Sequence, residues 1–205
     1  MEPYKVLVWG DSIARQNEVP WPESCRYSFE VSCFCGRVVE FINIAQCGLA
    51  AVHGQNYFEE KVRPVQPDLV VIQFGFNDMR HDTAHNGAPV DMPDQYEEAM
   101  CNMIRNARST GAEVLVLGNH NFSFGALRLY PTGLNGDETV DVYRKRAERA
   151  AEKEGAAFIN MAEVLENQGL DPRQATCDGC HLSPDGVRVY AITVGNFILK
   201  RLLAL

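Results

Sequence analysis

The sequence predicts a three-layer α/β/α sandwich built on a five-stranded parallel sheet, and three observations point there. Short runs dominated by Val, Ile, Leu and Phe alternate with helix-length amphipathic segments, the pattern of βαβ units. These apolar runs are continuous rather than alternating, as in strands covered on both faces. The chain has 205 residues and 46% hydrophobic content, which suits one globular domain over residues 1–205 with a sizeable core.

The strand runs are Tyr4 to Trp9, Val38 to Ile44, Leu69 to Phe74, Val114 to Leu117 and Ala157 to Asn160. Between them the pattern predicts helices from about Gly54 to Val62, Asp94 to Ser109 and Glu138 to Glu154, and a last one from Pro184 to Leu203. Gly111 and Gly155 sit where helix C-terminal caps are expected, because glycine enters left-handed backbone without a Cβ clash. Ser183 offers an N-cap, and Pro184 suits the first helical turn, where a missing N–H costs nothing. No repeat, linker or low-complexity tract interrupts the pattern.

Charge and targeting signals narrow the partners. With 19 Lys and Arg against 27 Asp and Glu, the net charge is −8, and no basic cluster offsets it. A nucleic-acid backbone or an anionic membrane surface is therefore excluded as the main partner. The apolar run Val6 to Trp9 is too short for a signal-peptide core, and no stretch reaches transmembrane length. Seven irregularly spaced cysteines cannot all pair, so they read as reduced thiols and the protein as cytoplasmic.

In open parallel sheets the ligand sits outside the carboxyl ends of the strands. The residues there are unusually polar: Gly10-Asp11-Ser12, Gln46-Cys47-Gly48, Gly75-Phe76-Asn77-Asp78 and Asn119-His120-Asn121. Ser12 falls at a strand-to-helix junction, where the positive end of a helix dipole favours a nearby oxyanion. A serine hydroxyl becomes a nucleophile when a neutral imidazole takes its proton and a third group fixes that imidazole's tautomer. Asp178-Gly179-Cys180-His181 supplies both, with His181 as base and Asp178 as its partner. The Ser12 and Gly48 N–H groups and the Asn77 amide are candidate donors to the oxyanion.

Blander and competing readings stand beside this one. Gly-Asp-Ser is an ordinary turn and helix cap, Gly48 a turn glycine, and Asn77-Asp78 a strand end. Asp178 and His181 could be purely structural. Cys177-Asp178-Gly179-Cys180-His181 matches the C-x-x-C-H pattern of c-type haem attachment, which would make His181 an axial ligand. That chemistry requires export, and the long α/β pattern is unlike a small cytochrome. Cys177 and Cys180 lack a second pair for zinc, and Cys33-Phe34-Cys35 is spaced too closely for a knuckle. His81 and His85 lie four apart like two ligands on one helix face, but their neighbours read as loop. That loop, with Asn119, His120 and Asn121, reads instead as cleft lining. An α/β-hydrolase elbow fails because Gly10-Asp11-Ser12-Ile13-Ala14 lacks its last glycine and follows only one strand.

Four blocks in order resemble the SGNH hydrolases, the GDSL esterase/lipase family: Gly10-Asp11-Ser12, Gly48, Gly75-Phe76-Asn77-Asp78 and Asp178-Gly179-Cys180-His181. The match covers nearly the whole chain, with Ile13 where the family signature has leucine. The resemblance implies a flavodoxin-like fold and ester hydrolysis through an acyl-enzyme, without a cofactor or metal. Ser12 would be the nucleophile, His181 the general base and acid, and Asp178 its orienting carboxylate. The Ser12 N–H, Gly48 and Asn77 would hold the oxyanion. The polar loops favour a small acyl or acetyl ester, such as an O-acetylated carbohydrate, over a long lipid chain. The alternative is a non-catalytic small-molecule or carbohydrate binding protein on the same fold. The two differ in whether Ser12 and His181 come within hydrogen-bond reach.

Overall fold

The computed structural model describes residues 2–32, 38–81, 87–127 and 129–204. Five parallel strands form one sheet: β1 Tyr4–Gly10, β2 Val39–Asn43, β3 Leu69–Gln73, β4 Glu113–Gly118 and β5 Ala157–Asn160. Their order is β2-β1-β3-β4-β5, the flavodoxin-like arrangement. Val6 pairs with Phe41 on one side and Leu69 on the other, which places β1 inside the sheet, and β3, at its centre, has every residue buried. The continuous apolar runs thus end up as the strands covered on both faces. Their ends differ from the sequence expectation by at most one residue, and β5 coincides with it.

The helices are α1 Trp21–Ser32, α2 Ala51–Gly54, α3 Pro93–Arg108, α4 Gly136–Glu154, α5 Met161–Asn167, α6 Pro172–Ala175 and α7 Pro184–Leu202. On α7 the buried residues Val187, Tyr190, Ala191, Val194, Ile198 and Leu202 recur at three- and four-residue steps, giving one apolar stripe. α1 packs on α7, and α3 packs on α4. Right-handed crossovers put these pairs on opposite faces, because the chain runs from β1 outward to β2 and then from β3 outward the other way. The caps behave as their chemistry requires. Ser183 Oγ accepts the Gly186 N–H at 3.2 Å, and Gly155 closes α4 at φ +66°. Gly111 takes a left-handed φ of +92°, but two residues beyond the Ser109 cap of α3.

Two helical expectations change. The segment expected as one helix from Gly54 to Val62 is a track of α2, a 3₁₀ turn at Gln55–Tyr57, a π turn at Phe58–Val62 and a 3₁₀ turn at Arg63–Val65. Helices α1, α5 and α6 have no counterpart in the sequence reading; at α1, Pro20 and Pro22 around Trp21 resemble a loop. Pro22 in fact occupies the first turn, where its missing N–H costs nothing, and the Pro20 carbonyl accepts the Ser24 N–H at 3.0 Å. Cys33, Cys35 and His85 lie outside the described residues.

Gly10 ends β1 beside β3, and a Cβ there would lie 2.8 Å from the Gln73 carbonyl oxygen. Backbone cannot yield as a flexible side chain does. Gly10→Ala is expected to lower stability by about 1–3 kcal/mol, as overpacking does. A urea midpoint equal to that of the wild type would show that the strands part without cost.

Candidate active site

The strand order places the ends of β1 and β3 at the switch point, where the chain leaves the sheet in opposite directions and opens a crevice. Ser12 opens a 3₁₀ turn, Ser12–Ala14, directly after β1. Asp11 caps that turn, its Oδ1 accepting the Ile13 N–H at 2.9 Å. As the first residue of the turn, Ser12 has an N–H with no partner inside it.

At the other end of the chain, an isolated bridge between Thr176 and Leu182 closes a tight loop. Asp178 Oδ1 accepts the N–H groups of Cys180 at 3.0 Å and His181 at 2.7 Å, which turns the backbone over the carboxylate. Gly179 is required twice: its φ is +91°, and a Cβ would lie 2.3 Å from the Phe124 ring. His181 then sits with Nδ1 2.7 Å from Asp178 Oδ2 and Nε2 3.0 Å from Ser12 Oγ. A carboxylate only accepts, so Nδ1 carries the hydrogen and Nε2 accepts the serine O–H. Burial pushes the Asp178 carboxyl up, but hydrogen bonds from the His181 ring and the Cys180 and His181 N–H groups outweigh it and hold it at about 2. It is a carboxylate at any neutral pH.

The opposite wall is equally anchored. Gln46 N–H donates to the Gly10 carbonyl at 3.0 Å, and Asn43 Nδ2 donates to the Ala14 carbonyl at 2.7 Å, tying the loop after β2 to the serine turn. In that loop Gly48 is exposed with φ +78° and open space where a Cβ would point. Its conformation, rather than crowding, requires glycine. Asn77 Nδ2 donates to the Leu49 carbonyl at 3.2 Å and lies 3.5 Å from Asp11 Oδ2. Asn77 thus bridges the Gly48 loop to the residue before the serine. Behind it, Asp78 Oδ1 accepts the Ala51 N–H at 2.7 Å and Asp91 Oδ2 accepts the Val52 N–H at 3.2 Å, which pins the start of α2. Burial, with Asp91 beside it, holds the Asp78 carboxyl well above the usual carboxylate range.

The loop after β4 corrects the expectation that it lines the cleft. Asn119 and His120 are buried. Asn119 Nδ2 donates to the Phe74 carbonyl at 3.1 Å, and His120 lies 2.7 Å from the Cys180 carbonyl. Asn121 faces a cavity of about 520 Å³ that Asp141, Arg144 and Asn160 also line. His81 Nδ1 donates to the Gly87 carbonyl at 2.6 Å, while His85 lies outside the described residues. The sequence reading named Asp11 in its block but gave it no role, although its side chain is wholly buried beside Ser12, and it passed over Gln73, whose polarity inside an apolar strand run was the available signal.

Comparison with known proteins fits this geometry. The model of the GDSL-like Lipase/Acylhydrolase family matches residues 8–189. No curated protein matches the chain in sequence. Among solved structures, a lipase/acylhydrolase from Enterococcus faecalis is similar with a TM-score of 0.76 at 18% identity, covering 96% of both chains. The acetyl xylan esterase AlAXEase is similar with a TM-score of 0.79 at 20% identity, covering 95% of this chain and 99% of its own. An acetyl xylan esterase from Geobacillus stearothermophilus gives a TM-score of 0.74 at 19% identity, covering 91% of this chain and 90% of its own. Among the described residues, no helix is long and apolar enough to cross a membrane.

Burial pushes the Asp11 carboxyl from 3.8 up to about 7, against the Ile13 and Asn77 hydrogen bonds and the nearby His181. A carboxyl raised on folding binds its proton more tightly in the folded state. Its contribution is therefore present at acid pH and is lost as pH rises from about 4 through about 7. The stability of Asp11→Asn relative to wild type should grow across that window, by up to a few kcal/mol. Urea titrations of both proteins at pH 4, 5.5 and 7.5 measure it, and a constant difference would refute it.

Proposed function

From the premise that the chain belongs to the GDSL-like Lipase/Acylhydrolase family, carboxylic ester hydrolases of SGNH type, we propose that it cleaves short acyl esters through an acyl-enzyme on Ser12. The observation that carries this reading is the continuous contact from Ser12 Oγ through His181 to Asp178, at 3.0 Å and 2.7 Å. It is the geometry a serine needs to lose its proton as it attacks.

In the proposed cycle, Ser12 Oγ attacks the ester carbonyl while His181 Nε2 takes the hydroxyl proton. The resulting imidazolium is stabilised by Asp178, whose carboxylate is ionised throughout. The negative charge that develops on the carbonyl oxygen is met by the N–H groups of Ser12 and Gly48 and by the Asn77 amide, which turns to it the hydrogen of its long 3.5 Å contact with Asp11. Collapse breaks the bond to the alcohol oxygen, which leaves with the proton from His181. Water then gives a proton to His181 and attacks the acyl carbon, and the proton returns to Ser12 as the acid departs. The small exposure of Ser12, 8%, suits a short acyl group. Two of the similar structures are acetyl xylan esterases, which supports acetyl as that group.

A fluorophosphonate probe should label the wild type at Ser12, as read by peptide mapping, and should leave folded Ser12→Ala and His181→Ala unlabelled. Failure to label the folded wild type would overturn the reading. On p-nitrophenyl esters, kcat/KM should fall from acetate to octanoate; a rise would overturn the short-acyl assignment. Ser12→Ala should lose about 10⁵-fold or more in kcat. Asp178→Asn should lose about 10³–10⁴-fold, and Asn77→Ala about 10²–10³-fold with little change in KM.

A further inference from the structure

The loop that carries Asp178 and His181 touches the rest of the protein at a small number of polar points, and two come from the segment after β4. The Ser123 N–H donates to the Gly179 carbonyl at 3.0 Å. His120 Nε2 lies 2.7 Å from the Cys180 carbonyl, the residue immediately before His181. A carbonyl oxygen can only accept, so His120 carries its hydrogen on Nε2. Its Nδ1 lies 2.8 Å from Tyr190 Oη on α7, and as the bare nitrogen it accepts the phenol O–H. Tyr190 Oη in turn lies 3.4 Å from Gln73 Nε2 at the end of β3, which also donates to Asn119 Oδ1 at 3.2 Å. Arg144 holds the Asn119 carbonyl at 2.8 Å.

We propose that His120 is the positioning residue for the acid–base loop: its Nε2–H, directed by the Tyr190 hydroxyl, holds the Cys180 carbonyl and thereby sets His181 against Ser12. The assignment of a catalytic consequence rests on the proposed ester hydrolysis. Its physical basis is the tautomer. Tyr190 can serve its own O–H donor only if His120 Nδ1 is bare, and that leaves the ring hydrogen on the one nitrogen that faces the loop. Burial supports a neutral ring, holding His120 down at about 4. The Phe76 ring, edge-on to His120 at 5.0 Å between centroids, fixes the imidazole plane. Misplacing a general base by an ångström costs on the order of 10²-fold in rate, so one carbonyl contact two atoms from the His181 backbone matters to turnover.

The test uses glutamine and asparagine, because glutamine's amide nitrogen reaches the Nε2 position and asparagine's only the Nδ1 position. His120→Gln should keep kcat within about threefold of wild type, while His120→Asn and His120→Leu should lose roughly 10–100-fold with KM nearly unchanged. Tyr190→Phe, which retains the ring volume, should lose several-fold, and His120→Leu/Tyr190→Phe should be no worse than His120→Leu alone. Additive losses, or equal kcat in the folded glutamine and asparagine variants, would overturn the proposal. Amide hydrogen exchange over residues 177–182 reads the clamp without any turnover. It should accelerate in the leucine and asparagine variants and stay near wild type in the glutamine variant. Unchanged exchange in His120→Leu overturns the proposal whether or not the protein hydrolyses esters, whereas an inactive wild type with accelerated exchange in His120→Leu overturns only the catalytic reading.

Discussion

A single hydrogen bond between the Ser12 hydroxyl and His181 Nε2 joins positions 169 residues apart, and most of the molecule's polar architecture serves to make it possible. Neither partner is held by local structure alone. The serine sits on a three-residue turn and the histidine in a loop closed by one isolated bridge, and neither would keep a fixed geometry unaided. What fixes them is the parallel sheet. β1 lies beside the central strand β3, so the loops that follow them diverge around a crevice, and the return of α7 to α1 brings the C-terminal loop over that crevice.

Beneath the site lies a buried polar layer that a core of this kind would ordinarily avoid. Gln73, Asn119, His120 and Tyr190 come from β3, the turn after β4 and α7, and they pair mainly with one another and with backbone carbonyls. Leaving such groups unpaired costs about 1–3 kcal/mol each, so the layer has few tolerated arrangements. It is not perfectly satisfied: Gln73 Oε1 meets no protein partner among the described residues. A layer with one good arrangement locks the relative positions of the strands' carboxyl ends, which is where catalytic geometry is decided.

The carboxyls around the site show how environment assigns roles to identical side chains. Asp178, half-exposed and fed by two backbone N–H groups and an imidazole, stays ionised. Asp11 and Asp78, wholly buried, are pushed the other way by burial, and Asp91 beside Asp78 adds to that push. Separating acids in this manner keeps one negative charge beside the His181 ring and limits the negative charge around Ser12 and Asn77.

Strand positions were legible in the sequence because continuous Val, Ile and Leu runs have few alternatives, and the long helices because their apolar stripe repeats with the helical period. Ser12, Gly48, Asn77, Asp178 and His181 stood out because each follows a strand or occupies a short patterned block; the structure puts Ser12, His181 and Asp178 in contact and ties Asn77 to Leu49, next to Gly48, and to Asp11. Helix α1 was not, since Pro20 and Pro22 read locally as a loop until Trp21 and Cys25 are seen to be buried. The role of Asn119-His120-Asn121 was misread for a related reason. Position after a strand predicts nearness to the crevice but not whether a side chain faces the ligand or turns beneath it. By itself, then, the sequence determined the sheet and the order along the chain of the blocks that follow its strands. Only the tertiary structure decided that His120 faces the Cys180 carbonyl, that Asp11 is sealed from water and that His181 has one nitrogen for each partner. Those are matters of distance and desolvation, set by contacts between segments far apart in the chain.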